Sequence, residues 1–259
     1  MTISNASVAL ADHAQGPQRQ HKIELELLGE AETARSTVER FIQVVFKRAY
    51  GARLHHFLPY LLCMREEGSL LAALGIRPAA GSELFLETYL DTVVEQCLAA
   101  RSGHPIDRSR LVEVGNLASA HGGGARALII TLTAYLQGAG YEWAVFTATP
   151  KVRNNFAKLG IELIHLAPAD GQRLGPDLAD WGSYYDQAPL VVAANVAASA
   201  ERLRRAMAAQ QLFTTAQPLW HDAYHAGRQG CLWQPPRRLA AQWPQWMLDG
   251  QPNGLDFSI

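Results

Sequence analysis

The stretch from Arg110 to Leu166, RLVEVGNLASAHGGGARALIITLTAYLQGAGYEWAVFTATPKVRNNFAKLGIELIHL, leaves few folds open. Leu111-Val112-Glu113-Val114 is an apolar run carrying one carboxylate, and Gly115 to Ser119 continue it with small residues that admit a neighbouring backbone or a ligand. This predicts a central strand with a splay or bulge. His121-Gly122-Gly123-Gly124 predicts a loop, because successive glycines leave the backbone free to turn and to present its amides. Ala125, Leu128, Ile129, Leu132 and Leu136 then recur at helical spacing and stop at Gly138-Ala139-Gly140. Glu142 to Thr147 reads as a strand, Thr149-Pro150 opens a helix that ends before Gly160, and Ile161 to Leu166 reads as a further strand. Strands alternating with helices in this way predict an α/β fold.

A glycine loop that opens a helix after a strand gathers unpaired amides and the helix dipole at one spot, which suits an anion. Gly122, Gly123, Gly124 and Ala125 are therefore candidates to hold phosphate, with Arg126 in the first turn. The alternatives are a flexible connection and a solvated arginine. Glu113 is the leading candidate for chemistry. A carboxylate in an apolar strand is costly unless paired or used, and desolvation raises its pKa toward that of a general base. It serves either as that base or as half of a buried ion pair with Arg110 or Arg126. Asn116 orients a carbonyl or acceptor, or satisfies backbone groups freed by the splay.

Upstream, Lys22 to Leu28 alternates charged and apolar residues as a half-buried strand does, after a polar, aperiodic leader over residues 1–20. Ser36 and Glu39 have capping-box spacing before a helix whose apolar face is Val38, Phe41, Ile42, Val45 and Phe46; residues 50–62 follow as an irregular segment. Gly68 to Ile76 and Ser82 to Leu90 predict a hairpin with a long loop. On such a strand Glu87 and Asp91 face one cleft with Tyr89, the alternative being that Asp91 or Thr92 caps the next helix. Downstream, Trp181 to Asp186 is an aromatic, turn-rich run that walls a channel or covers the core edge. Leu190 to Ala194 predicts a last sheet strand, Ser199 to Gln210 a helix, and residues 217–259 a Pro- and Trp-rich tail without sustained period.

These motifs carry a resemblance. YGARLHHFLPYL at Tyr50 to Leu61, FLETYLD at Phe85 to Asp91, VEVGNLAS at Val112 to Ser119, VFTAT, RNNFAKLGI, and WGSYYD at Trp181 to Asp186 together resemble the thermostable hemolysin family. More broadly they resemble the N-acyltransferase superfamily of GNAT acetyltransferases and acyl-homoserine-lactone synthases. The resemblance implies a GNAT-like fold, a mixed central sheet flanked by helices, over residues 21–212, with residues 213–259 as an extension. It implies an acyltransferase without a tightly bound cofactor. Acyl-CoA or the acyl-phosphopantetheine of an acyl carrier protein would be co-substrate, and a small amine or amino-acid-like molecule the acceptor. Leu117, Ala118 and Ser119 would offer the splayed strand to the thioester, with Arg153 and Asn154 beside the pantetheine tunnel; a solvated basic face is the alternative for the last two. Where acetyltransferases carry an Arg or Gln at the start of the pyrophosphate loop and a Tyr in a FYEKLGF-like segment, this chain has Ser119 or Ala120 and Phe156. Where the lactone synthases carry Glu and Arg three apart on the central strand, it has Glu113 and Asn116.

Composition narrows the competing classes. A net charge of −1 gives no electrostatic case for nucleic acid. Cys63, Cys97 and Cys231 are odd in number and far apart, which suits free thiols in a reducing compartment. No basic-then-apolar leader and no apolar run of about 18 residues is visible, so the expectation is a cytoplasmic protein without a transmembrane segment. The family's name makes a membrane-active, hemolysin-type protein the competing class, and a noncatalytic thioester- or carrier-binding protein the third. His221 and His225, four apart, lack the glutamate of HExxH, and no metal site is expected.

Overall fold

A computed structural model describes residues 22–120, 122–209, 216–229 and 239–240. The leader, His121, Cys231 and most of the Pro- and Trp-rich segment lie outside the described residues. The elements build one mixed α/β sheet flanked by helices. β1 (Lys22–Leu28) pairs antiparallel with β2 (Tyr60–Glu66), β2 with β3 (Ser69–Pro78), and β3 with β4 (Leu111–Ser119). β4 and β5 (Trp143–Ala148) are parallel. β7 (Leu190–Asn195) inserts antiparallel between β5 and β6 (Ile164–Pro168), and β8 (Leu239–Ala240) borders β1.

The hairpin differs from the one the sequence predicts. β2 and β3 turn at Glu67-Gly68, both at positive φ (48° and 83°), the geometry of a two-residue hairpin turn. Residues 82–90 form no strand; Phe85–Tyr89 is a 3-10 helix whose Phe85 and Leu86 amides are taken by the Glu113 carboxylate. The predicted capping box at Ser36 and Glu39 and the predicted Asp91 or Thr92 cap are also absent. Helix α1 (Arg35–Tyr50) starts after Ala34 without a side-chain cap, because Glu39 bonds Arg35 instead. Helix α2 (Val94–Ser102) starts after Val93; Thr92 Oγ1 lies 3.1 Å from Cys97 Sγ, and Glu95 pairs with Arg108. Val38, Ile42, Val45 and Phe46 of α1 are buried as their spacing predicts.

Helix α3 (Gly122–Gly138) begins within the glycine run, so Gly123 and Gly124 are helical and not a loop. Their smallness serves close approach: a Cβ on Gly124 would stand 3.0 Å from Ser119 Oγ and 3.2 Å from the Leu71 carbonyl oxygen. Helix α4 (Pro150–Lys158) has Pro150 at its first position and Thr149 as its cap. Helix α5 (Val196–Ala208) starts earlier than its periodicity predicts because Asn195 Oδ1 accepts from the Ala198 amide. The segment read as an aperiodic tail contains helix α6 (Ala216–Arg228), which lies on α3 with Gly138 and Gly227 where side chains would strike backbone.

Successive β-strand residues face opposite sides of the sheet. Val112 and Val114 join the main core with Ala144, Phe146, Val192 and Ala194. Leu111 joins a second core with Trp143, Val145, Val191 and Ala193, beneath Leu86, Tyr89, Val94 and Leu98. Each fully buried leucine in these layers contributes about 2 kcal/mol. Glu113 stands on the face of Leu111, under the segment that forms the 3-10 helix.

Candidate active site

β4 carries the predicted bulge. Ala73 pairs with Ala118 and Gly75 with Gly115, so Asn116 and Leu117 together face Leu74. Asn116 accordingly has φ 53°, a conformation Asn tolerates better than most residues. Pairing with β5 ends at Val114 and Phe146, although β4 runs on to Ser119 and β5 to Ala148. The two parallel strands thus part at Val114 and Thr147. On one side of this opening lies a narrow apolar cleft of about 40 Å³ lined by Leu117, Leu132, Phe146 and Phe156. On the other lies a cavity of about 410 Å³ that shares Val114 and Thr147 with the cleft.

Distant segments enclose the larger cavity: residues 53–58, β3 at Arg77, β4 at residues 113–116, the 3-10 helix at Phe85 and Tyr89, and residues 177–185, with Phe46 and Thr147 completing the lining. The first is placed by Arg35, 7% exposed, which donates to the carbonyls of Pro59 (2.7 Å) and Leu58 (2.8 Å) and pairs with Glu39 at 2.7 Å. Leu58 N–H then donates to Asn116 Oδ1 at 3.2 Å. A Cβ on Gly75 would meet Leu58 at 2.8 Å and one on Gly115 at 3.2 Å. The paired glycines of β3 and β4 therefore admit the Leu58 side chain. Arg53 N–H donates to the Asp180 carbonyl, and its guanidinium pairs with the Asp180 carboxylate at 3.0 Å.

Glu113 is 3% exposed. Its Oε1 accepts from the Leu86 amide at 2.8 Å, and its Oε2 from the Phe85 amide at 3.1 Å, with Arg77 Nη1 at 3.5 Å. Burial raises its pKa, and the two amides and Arg77 oppose that rise without cancelling it. Neither predicted ion-pair partner is used: Arg110 pairs with Glu142 at 2.5 Å, and Arg126 lies 3.5 Å from Asn155.

Glu87 and Asp91 do not enter the cavity, because a 3-10 helix does not keep positions four apart on one face as a strand does. Glu87 receives the Arg108 fork at 2.7 and 2.8 Å and the amides of Leu84 and Val94, which hold its carboxyl down at about 2. Asp91 is 87% exposed and pairs with Arg173 at 2.5 Å. Tyr89 does line the cavity, its hydroxyl bonded to that of Tyr185. Burial raises both phenols, that of Tyr185 to about 12. Trp181, Tyr184 and Tyr185 of the aromatic run wall the cavity: Trp181 stacks on Phe85 at 5.7 Å and packs on Tyr184 and Tyr185.

At the other end of β4, Leu117, Ala118 and Ser119 are buried, as are Gly123, Gly124 and Ala125 in the first turn of α3. Arg126 is half-buried, and its burial lowers its pKa. Arg153 donates to the Ala148 carbonyl at 2.9 Å, and Asn154 is exposed. The buried neighbour of Arg126 is Asn155, which the sequence reading passes over for Asn154; the signal was its place three residues from Val152 on the buried face of α4. The reading also missed Arg77, Arg53 and Thr147. Arg77 alone left a trace, as a cation closing a strand before Pro78.

Cys63 and Cys97 are free, and burial pushes the Cys63 thiol up to about 12. His221 and His225 share a face of α6 with rings 4.6 Å apart, and among the described residues no three His, Cys, Asp or Glu side chains converge on a metal-sized site. Among those residues no helix is long and apolar enough to cross a membrane.

The family model described as thermostable hemolysin matches residues 28–200. No curated protein matches the sequence. Among solved structures the chain is similar to FeeM, an N-acyl amino acid synthase from uncultured soil microbes, at 14% identity and a TM-score of 0.51, covering 70% of this chain and 94% of that one. It is also similar to MesI, a CoA-dependent acyl-homoserine lactone synthase, at 15% identity and a TM-score of 0.41 over 70% and 94%. At such identities the likeness to FeeM establishes a shared fold.

Proposed function

The chain belongs to the thermostable hemolysin family, and from that premise we propose that it is an N-acyltransferase. It takes an acyl group from acyl-CoA or an acyl carrier protein thioester and passes it to a small amine or amino-acid-like acceptor. The observation that carries this reading is the parting of β4 from β5 at Val114 and Thr147, residues that line both an apolar cleft and a cavity with a buried carboxylate. A thioester arm lying in the cleft brings its carbonyl to the bulge, and the acceptor approaches from the cavity.

In the transfer, the lone pair of a neutral amine attacks the thioester carbonyl. The C–N bond forms, and backbone amides of the bulged strand at residues 116–119 stabilise the oxyanion. Glu113 takes the proton shed by nitrogen, directly or through one water. The tetrahedral centre collapses, the C–S bond breaks, and the thiolate leaves as thiol with that proton. Phe156 stands where the family resemblance places a tyrosine, and it stacks on Phe146 at 4.9 Å, so that position supplies no proton. Gly123, Gly124, Ala125 and Arg126, in the first turn of α3, would receive the phosphate that follows the pantetheine.

The test is thiol release from a panel of acyl-CoA and acyl-carrier thioesters with mixed amines and amino acids, the product identified by mass spectrometry. Acceptor-dependent release is expected. Thioester binding without release would mark a noncatalytic carrier-binding protein, and absence of binding with leakage of liposomes a membrane-directed one.

A further inference from the structure

The larger cavity is lined by opposite charges and by aromatic rings. Glu113 and Arg77 stand 3.5 Å apart. The Arg77 Nη1 also donates to the Glu83 carbonyl at 3.2 Å, while its Nε and Nη2 make no hydrogen bond among the described residues. Its side chain is 27% exposed where it lines the cavity. Beside them in the lining stand Phe85, whose amide donates to Glu113, Trp181 stacked on it at 5.7 Å, and Tyr89.

We infer that this cavity selects an α-amino acid with a large flat side chain, Arg77 reading its carboxylate. The inference rests on the acyltransferase reading for its chemistry but on the cavity for its specificity. In an α-amino acid the nitrogen and the carboxyl carbon are about 2.5 Å apart, from bond lengths and the angle at Cα. That dipole matches the Glu113–Arg77 pair laid head to tail: nitrogen beside Glu113, carboxylate against the remaining edge of the guanidinium. Only a guanidinium offers this planar fork, which a lysine cannot reproduce. A simple amine would bring nothing to the remaining edge of the Arg77 guanidinium, and a polyamine would set a second cation against it. The rings of Phe85 and Trp181 give a flat side chain a stacking surface. Attack by the amine, transfer of its proton through Glu113 and loss of the thiol then yield an N-acyl amino acid with its carboxylate free.

The experiment compares L-phenylalanine with phenethylamine, which lacks only the carboxylate. Binding to the full chain is measured by calorimetry, and thiol release is measured with each acceptor. Phenylalanine is expected to bind and react better by roughly 10- to 100-fold, the worth of a charge-assisted hydrogen-bonded pair. Arg77→Lys, which keeps the charge beside Glu113, should erase most of that preference, and Arg77→Met all of it, with unfolding curves confirming intact folds. Equal use of the two acceptors, or a preference unmoved in Arg77→Lys, overturns the inference while leaving the acyltransferase reading intact. Selective, Arg77-dependent binding of phenylalanine without acyl transfer to any acceptor refutes the acyltransferase reading and upholds the site. Phenylalanine binding no tighter than phenethylamine binding, with no transfer, overturns both.

Discussion

Replacing Glu87 by Gln should destabilise the protein and spare its chemistry. Arg108 places its fork on Glu87 at 2.7 and 2.8 Å, holds Glu95 at 2.6 Å, and donates to the carbonyls of Ala79 and Ser82. The Arg108 hydrogen bonds, against a smaller desolvation effect, bring the Glu87 carboxyl from its ordinary 4.5 to about 2. At 1.36 kcal/mol per unit the ceiling is about 3.4 kcal/mol. The two side chains are 17% and 25% exposed, and solvent screening reduces the figure to about 2 kcal/mol. In a chain of this length that corresponds to a fall in Tm of about 4–8 °C. Because the folded pKa lies below the unfolded one, this stability is present above about pH 4.5 and lost as pH falls toward 2. Denaturant unfolding of parent and Glu87→Gln should therefore differ by about 2 kcal/mol at pH 7, the gap closing between pH 4.5 and 2. Equal stability at pH 7 would refute the argument. A loss of turnover of more than about tenfold with stability unchanged would return Glu87 to the chemistry.

Glu113→Gln should lower thiol release by about 10²- to 10³-fold while thioester binding persists, and remove an acidic limb of kcat/KM placed above the usual carboxylate range. Since burial raises its folded pKa, the contribution of Glu113 to stability is present at low pH and lost as pH rises; the variant should gain on the parent as pH rises above the ordinary carboxylate range, read by thermal unfolding. Arg35→Met leaves Glu39 unpaired and two buried carbonyls unserved, so chemical denaturation should show a loss of about 3 kcal/mol, and acceptor KM should rise as residues 53–58 loosen. Gly182 sits at φ 53°, and a Cβ there would stand 2.0 Å from the Tyr50 carbonyl oxygen. Gly182→Ala should destabilise by about 2–4 kcal/mol and disturb tryptophan fluorescence at Trp181.

Much of the frame was already present in the order of residues. The strands β1, β4, β5 and β7 and the helices α1, α3, α4 and α5 declare themselves through alternation or helical spacing, signals that need no partner. The bulge was legible in Gly115 to Ser119, since small residues on an apolar strand mark a close approach. Glu113 stood out because a carboxylate among buried neighbours must be answered. What answers it was decided only in three dimensions: two amides of a 3-10 turn 27 and 28 residues away, and an arginine across the strand pair. The same contact explains why residues 85–89 coil, for the carboxylate satisfies amides that a strand would have spent on a neighbour. Glu87 and Asp91 looked alike in sequence and separated once Arg108 and Arg173 came to them. The cavity itself is assembled from segments more than a hundred residues apart, held by Arg35 at one rim and by Asp180 at the other. Local periodicity reports which face of an element is buried. It carries no record of which other chain segment does the burying, and here that choice makes the site.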